Sequence, residues 1–222
     1  MSRVTEILRS LDRKERFAVL RETLGFDPTA PELGARFRTR LSTCIGVPVP
    51  AKAFVAMDYH LDWIQLALHL AEISGIAPGT AFANPDFEDF NADQEDIDLL
   101  LAFENGDAGR PLTHLVLIEA KAYLPWTNSQ LASKTRRLGE IFGGDGTRHD
   151  TVEPHFVLMT ERRSRNIQSS NWPGWTTDRN GEPFWLEYKL PCRRKVTRCD
   201  AAGRPDRRGD HLRLDRVPRP VG

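Results

Sequence analysis

The sequence predicts an α/β protein. Apolar residues recur at helical spacing in several segments, whereas two compact apolar runs near the middle of the chain are typical of buried strands. Turn-forming residues separate these segments, and the predicted order is helix, strand, strand, helix, strand. With 222 residues, 40% of them hydrophobic, the chain is long enough to bury a sizeable core.

The first half of the chain predicts helices. Residues 4–24 form an amphipathic pattern that Gly25 ends. After a proline-containing segment at 27–31, a short helix is predicted over 32–43. The second long helix is predicted over 57–73, where leucines and isoleucines supply a wide apolar surface.

The periodicity then changes to that of strands. The predicted elements are a strand at 97–103, a turn at 105–109, a strand at 112–122, a helix at 127–142 and a strand at 155–160. Pro125 ends the second strand, and Thr127 or Asn128 caps the helix.

Residues 162–222 differ in composition, since they are rich in Trp, Arg, Pro and Gly. Asn180-Gly181 predicts the tip of a hairpin whose second strand covers 183–190. A second hairpin pairs 195–199 with 211–214. The sequence leaves open whether this region extends the main sheet or forms a small subdomain.

Charge is segregated although the formal net charge is zero. Residues 81–109 hold nine acidic side chains and no basic one, whereas residues 193–216 hold nine basic and four acidic side chains. This pattern is typical of a metal-binding zone separated from a phosphate-facing surface, and equally of a solvated acidic loop and a solvated basic tail.

Two expectations concern location. No apolar run approaches the roughly 18 residues that span a bilayer, and no signal peptide is evident, so no membrane association is expected. The three cysteines, Cys44, Cys192 and Cys199, lack the spacing of a disulfide framework or a zinc site. A cytoplasmic protein is therefore expected.

The most informative residues are Asp98, Glu119 and Lys121. Strand alternation places Glu119 and Lys121 on the face that also buries Leu115 and Leu117. Charges there are costly unless they meet a partner or a metal ion. A hairpin through the glycine-containing turn brings Asp98 beside Glu119.

This arrangement suits phosphodiester hydrolysis. Mg²⁺ prefers oxygen ligands, and Asp98, Glu119 and the backbone carbonyl of Ala120 are its predicted ligands. A bound metal lowers the pKa of a water molecule and stabilises charge on a phosphate. Lys121 is predicted to orient that water or to neutralise the transition state.

The pattern Asp98, Glu119-Ala120-Lys121 and a following helix with Gln130 near its start resembles the PD-(D/E)xK nuclease superfamily. The resemblance covers about residues 57–160. It implies a restriction-endonuclease-like core over 57–161, with a central mixed sheet flanked by helices. A helical N-terminal extension (1–56) and a β-rich C-terminal extension (162–222) lie outside it.

The superfamily's function is implied as well: a Mg²⁺-dependent or Mn²⁺-dependent nuclease, with DNA as the expected substrate. Many members dimerise, so a homodimer is one implied assembly.

Two features of this sequence depart from the superfamily's pattern. Ile97 replaces the proline that usually precedes the aspartate, and the first of the core's three strands has only Thr80–Ala83 as a candidate.

Residue by residue, the resemblance makes Asp98 and Glu119 metal ligands and Lys121 the catalytic lysine. Gln130 corresponds to a polar helix residue that positions the water. The supporting residues implied or suggested are Lys134 one turn later, Glu72 on the preceding helix, and Asp96 beside the metal.

Alternatives remain open at this point. Glu187-Tyr188-Lys189 with Asp178 is a second, less favoured candidate site, because no amphipathic helix follows it. A less favoured interpretation is that the strand end emerges into solvent, with Glu119 and Lys121 exposed and Asp98 as a strand-opening residue near a turn. A catalytically silent module that binds nucleic acid or a protein partner is the second functional hypothesis.

The aromatic and histidine residues are interpreted more simply. The tryptophans at 172, 175 and 185, with nearby arginines, are expected to pack on the sheet rather than to stack on bases. His60, His69 and His114 show no metal-ligand spacing with another His or Cys.

Overall fold

The structure is a computed structural model that describes residues 1–11, 19, 22–23, 31–73, 80–81, 95–105, 112–121, 126–161, 163–164, 166–188 and 194–216. Within them, the helices are α1 (Arg3–Leu11), α2 (Ala35–Ile45), α3 (Leu61–Glu72), α4 (Asn128–Phe142) and a short 3₁₀ helix (Gly174–Thr176). The strands are β1 (Phe54–His60), β2 (Asp96–Asn105), β3 (Leu112–Lys121), β4 (Val152–Thr160), β5 (Phe184–Glu187), β6 (Arg194–Cys199) and β7 (His211–Arg216).

A five-stranded mixed sheet in the order β1-β2-β3-β4-β5 forms the centre of the fold. β1, β2 and β3 run antiparallel to one another, whereas β3, β4 and β5 are parallel. Helix α4 makes the crossover that two adjacent parallel strands require. The predicted α/β class is therefore confirmed.

Helices cover both faces of the sheet. Leu115 and Leu117 of β3 share a buried cluster with residues of α1, α3 and α4. Val116 and Ile118, which alternate with them, belong to a second cluster that includes Leu41 of α2. Successive strand residues point to opposite faces, so β3 is apolar on both sides and contributes to both clusters.

The helix predicted over 57–73 is wrong in its first turn. Residues 54–60 form strand β1, which pairs with β2, and helix α3 begins only at Leu61. The local pattern was ambiguous because the apolar residues of β1 and α3 follow one another without a break. Tertiary pairing with β2 decides the outcome, and the boundary predicted at 56/57 falls inside β1.

The first strand of the main sheet is thus β1, upstream of α3. Residues 80 and 81 are described and lie outside any strand, and the rest of the Thr80–Ala83 candidate lies outside the described residues. Ten of the 21 residues of the helix predicted over 4–24 also lie outside them, and α1 covers its start.

The C-terminal region divides in two. β5 joins the main sheet beside β4, whereas β6 and β7 form their own two-stranded antiparallel sheet, as the predicted pairing requires. Asp178 to Glu182 form the predicted turn, with Gly181 at φ 75°. No helix in the described part of the chain has the length and apolar character needed to cross a membrane.

Candidate functional site

The structure brings Asp98 beside Glu119. The antiparallel register of β2 and β3 pairs Leu99 with Ile118, and the next residues outward are Asp98 and Glu119. Asp98 Oδ2 accepts a hydrogen bond from the backbone N–H of Ala120, at 2.6 Å. That bond fixes the Asp98 carboxylate against the strand that carries Glu119.

Glu119 is a buried carboxylate with a cationic partner. Its side chain is 10% exposed, and the Lys134 ammonium, itself 11% exposed, lies 2.5 Å from Glu119 Oε2. Lys134 also donates to the backbone carbonyl of Asp96, at 2.6 Å. Helix α4 therefore supplies a lysine that contacts both β3 and β2 at the strand ends.

The electrostatic balance at Glu119 is shifted toward protonation. Burial raises the pKa of Glu119, Lys134 and Lys121 lower it, and the neighbouring Asp98 raises it, with a net increase above the ordinary value. The two lysines therefore do not fully offset burial and carboxylate repulsion.

Lys121 and Gln130 are more exposed than the ion pair of Glu119 and Lys134. Lys121 is partly exposed at the end of β3, and the Tyr188 hydroxyl donates to its backbone carbonyl at 3.4 Å. Gln130 is exposed in the first turn of α4, where its N–H is capped by Thr127 Oγ1 at 3.3 Å. One helical turn separates it from Lys134, so both lie on one face of α4.

Asp96 contacts the site through its backbone. Its carbonyl accepts from Lys134, while its carboxylate contacts Nδ1 of His60, the residue opposite it on β1. Asp96 thus links β1 to the lysine that binds Glu119.

Glu72 is not brought to the cluster. Its carboxylate lies 2.6 Å from Nδ1 of His149, in the turn between α4 and β4. Helix α3 begins beside the site, where the N–H of Leu61 donates to the carbonyl of Glu95. Glu72 ends that helix about 16 Å further along its axis.

A residue that sequence reasoning missed is Asp58. The register of β1 and β2 places Met57 opposite Leu99 and Tyr59 opposite Ile97, so Asp58 lies opposite Asp98. Asp58 has φ 49°, in the left-handed region that costs energy for a non-glycine residue and often marks functional sites. It was missed because this segment was predicted to be helical.

The described residues of the second candidate site, Asp178 and Glu187, make local structural contacts. Asp178 Oδ1 accepts from the N–H groups of Asn180 and Glu182, which closes the turn. Glu187 is exposed and lies 3.3 Å from Nε of Arg163. Lys189 lies outside the described residues.

The tryptophans pack as predicted. Trp172 contacts Phe156, Trp175 contacts Phe142, and Trp185 lies against Trp126, all with edge-on geometry. Trp175 also donates its indole N–H to the carbonyl of Gly143, at 3.0 Å. These partly buried rings hold the 166–188 segment onto the sheet.

A scan against protein-family models, a search of curated proteins and a search of solved structures each returned no match. The chemical interpretation of the site therefore depends on the side chains of this chain. Two carboxylates on adjacent strands, two lysines and an open rim are the features to be explained.

Proposed function

We propose that this protein is a metal-dependent nuclease with a restriction-endonuclease-like core, acting on DNA. The observation that carries the proposal is the placement of Asp98 directly across from Glu119, with the Lys121 and Lys134 charges acting on Glu119. Carboxylates that can hold a metal ion and lysines that can stabilise charge on phosphate suit phosphodiester hydrolysis.

The topology supports the same proposal. β1, β2 and β3 are consecutive antiparallel neighbours, and α4 leads from β3 to the parallel strand β4. This follows the three-strand, helix, strand order that the resemblance implies, with α2 as the preceding helix. Helix α3 is then an insertion between the first two strands of the core.

The donor set fits a hard divalent cation. Asp98 and Glu119 offer carboxylate oxygens, the ligands Mg²⁺ prefers, and burial raises the pKa of Glu119 despite the nearby lysines. Asp98, Glu119 and the Ala120 carbonyl would hold the ion. When bound, such an ion supplies an activated water and charge neutralisation at phosphate.

Three side chains of this protein would have separate roles beside the metal ion. Lys134 holds Glu119 in place through their ion pair. Lys121, partly exposed at the strand end, is positioned to stabilise the negative charge that develops on a phosphate or to orient the attacking water. Gln130, on the exposed rim of α4, would position that water or the scissile phosphate.

The basic C-terminal hairpin supports a polyanionic substrate. Exposed arginine and lysine side chains lie on β6, on β7 and in the connection between them, namely Arg194, Lys195, Arg198, Arg204, Arg207, Arg208 and Arg213. Such side chains bind the phosphate backbone with little regard to sequence, in a salt-dependent manner.

One observation favours the second candidate, a catalytically silent binding module. The Lys134–Glu119 ion pair gives the buried carboxylate a cationic partner within the protein. A site satisfied in this way does not require a metal to fold. The two candidates therefore differ in whether Asp98 and Glu119 bind a divalent ion at all.

The experiment is a cleavage assay on supercoiled plasmid and single-stranded DNA, in Mg²⁺, Mn²⁺ or EDTA. The parent is compared with Asp98→Asn, Glu119→Gln and Lys121→Ala. Glu187→Gln is the matched control, because Glu187 belongs to the chain's other E-x-K triplet and is exposed.

Cleavage that needs metal, vanishes in the three site variants and persists in Glu187→Gln supports the nuclease. Equal cleavage by the parent and Lys121→Ala contradicts it. If the parent cleaves nothing and calorimetry detects no Mg²⁺ or Mn²⁺ binding that Asp98→Asn removes, the silent binding module is the better account.

A further inference from the structure

A second cluster of ligand-type side chains lies on the opposite face of the sheet. It consists of His114 on β3 with Glu153 and His155 on β4. In the parallel register His114 lies opposite Glu153, and His155 lies opposite Val116. Alternation therefore places all three side chains on one face, the face opposite Glu119.

The cluster is well separated from the carboxylate site. His114 is five residues from Glu119, which corresponds to about 17 Å along a strand. The ring of Phe103 stacks on His114 at 5.2 Å between centroids, so an apolar wall borders the imidazoles. Both histidines are buried, whereas the Glu153 side chain is 46% exposed.

The ligand atoms are spaced as around a metal ion. His114 Nδ1 lies 3.1 Å from His155 Nε2 and 3.5 Å from Glu153 Oε2. His155 Nε2 lies 3.8 Å from Glu153 Oε1. Ligand atoms around a tetrahedral zinc ion, with bonds of about 2.0–2.1 Å, lie about 3.3–3.4 Å from one another.

One shared proton cannot serve all three groups of this cluster. An N–H···N hydrogen bond can join His114 Nδ1 to His155 Nε2 at 3.1 Å, but it leaves the Glu153 carboxylate without a donor from these two nitrogens. Burial, and secondarily the proximity of His114, lower the pKa of His155 to about 4. Burial lowers the pKa of His114 as well, so both imidazoles favour the neutral form that metals bind.

We propose that His114, Glu153 and His155 form a binding site for a divalent transition metal, with Zn²⁺ as the preferred occupant. Two imidazole nitrogens and one carboxylate oxygen suit zinc or another borderline metal better than Mg²⁺. Three protein ligands leave a coordination position, and the exposed side of Glu153 is where solvent or a ligand enters it.

This site does not depend on the nuclease proposal. The two clusters lie on different faces, have different donor atoms and share no residue. A protein that cleaves no DNA would still bind Zn²⁺ here, and an active nuclease without this metal would contradict only the present inference.

The test is calorimetric titration of the EDTA-stripped full chain with Zn²⁺, in excess Mg²⁺ so that the carboxylate site is occupied. Co²⁺ absorption serves as the spectroscopic readout of coordination. The variants are Glu153→Gln, which changes a half-exposed residue, and His155→Gln. The control is Glu72→Gln, which removes a different His–Glu contact.

We expect one Zn²⁺ per chain, with affinity reduced more than about tenfold in Glu153→Gln and His155→Gln, because loss of a direct ligand exceeds the usual cost of losing a supporting one. Glu72→Gln and Asp98→Asn should bind as the parent does. Unchanged affinity in correctly folded Glu153→Gln, or binding that only Asp98→Asn removes, overturns the proposal.

Discussion

Each face of the sheet carries a cluster of buried polar side chains, and the two clusters differ in how those side chains are paired. On one face, Glu119 is a buried charge matched by the Lys134 ammonium. On the other face, His114 and His155 are buried imidazoles that share a hydrogen bond and lie close to the Glu153 carboxylate. The protein itself supplies the cation of the first cluster, whereas in the second cluster the proposed metal ion would supply it.

This difference predicts whether each cluster needs a metal ion in order to fold. A lysine that holds a carboxylate would allow the proposed nuclease site to fold without its ion. The proposed transition metal would instead bind as part of the folded structure, since neutral imidazole and carboxylate are the ligating forms. The predictions below test this contrast.

The largest expected effect is on stability, from Lys134→Met. Removing the lysine leaves the Glu119 charge buried without its partner, which costs about 3–5 kcal/mol. Denaturant unfolding at pH 7 measures the loss. Because Glu119 relieves the penalty by protonation, the loss should shrink at pH 5, and the double variant Glu119→Gln/Lys134→Met should recover most of it.

Lys121→Ala should affect cleavage strongly and stability little, the opposite of Lys134→Met. Lys121 is partly exposed, so its removal should change the free energy of unfolding by less than about 0.5 kcal/mol. Metal-dependent cleavage should fall by about 10²–10³-fold, the usual cost of removing one group that stabilises transition-state charge. Comparable losses of stability and activity would show that Lys121 has the structural role assigned to Lys134.

The pH dependence of stability tests the histidine cluster. Because the folded pKa of His155 is about 4, below its ordinary value of 6.5, the unfolded state binds the extra proton between these pH values. Stability therefore rises with pH across this window, by at most roughly 3 kcal/mol from this residue.

Denaturant unfolding in EDTA, from pH 4 to pH 7, measures this slope in the parent and in His155→Gln. The variant should lack the contribution, so the two curves should converge as the pH falls. Parallel curves would mean that His155 titrates normally in the folded protein.

The smallest effect is expected for Glu187→Gln. Glu187 is exposed, and its contact with Arg163 is a surface ion pair. Such pairs contribute about 0–1 kcal/mol, so unfolding and cleavage should both stay close to the parent. A large loss of cleavage would transfer the active site to the second E-x-K triplet.

Strand alternation and turn chemistry predicted much of the fold. The runs that became β2, β3 and β4 and the Thr127 cap of α4 were recognised from local pattern, since buried strands and capped helices have local signatures. β1 was missed because its residues run directly into α3, and only pairing with β2 distinguishes the two structures.

The candidate sites likewise combine features that local sequence predicts with contacts that only tertiary packing creates. Asp98 and Glu119 were selected because a hairpin places consecutive strands side by side. The contact between Lys134 and Glu119 requires the packing of α4 on the sheet, which spacing alone does not specify. Glu72 was assigned to the site from its place in the chain order, yet α3 carries it to the other end of the sheet.

The histidine cluster could have been found only in part. Glu153 and His155 stand two apart in a segment that became a strand, which places them on one face. His114 joins them because β3 and β4 are parallel neighbours in a particular register. No local signal fixes the register between strands that are separated by a helix.

The sequence by itself determined which residues are apolar, where most strands and helices run and which carboxylates adjoin across a hairpin, because these depend on near neighbours in the chain. Only the tertiary structure decided that β1 pairs with β2, that Lys134 binds Glu119 and that His114 meets His155. Those contacts depend on packing and strand register, which the whole chain determines together.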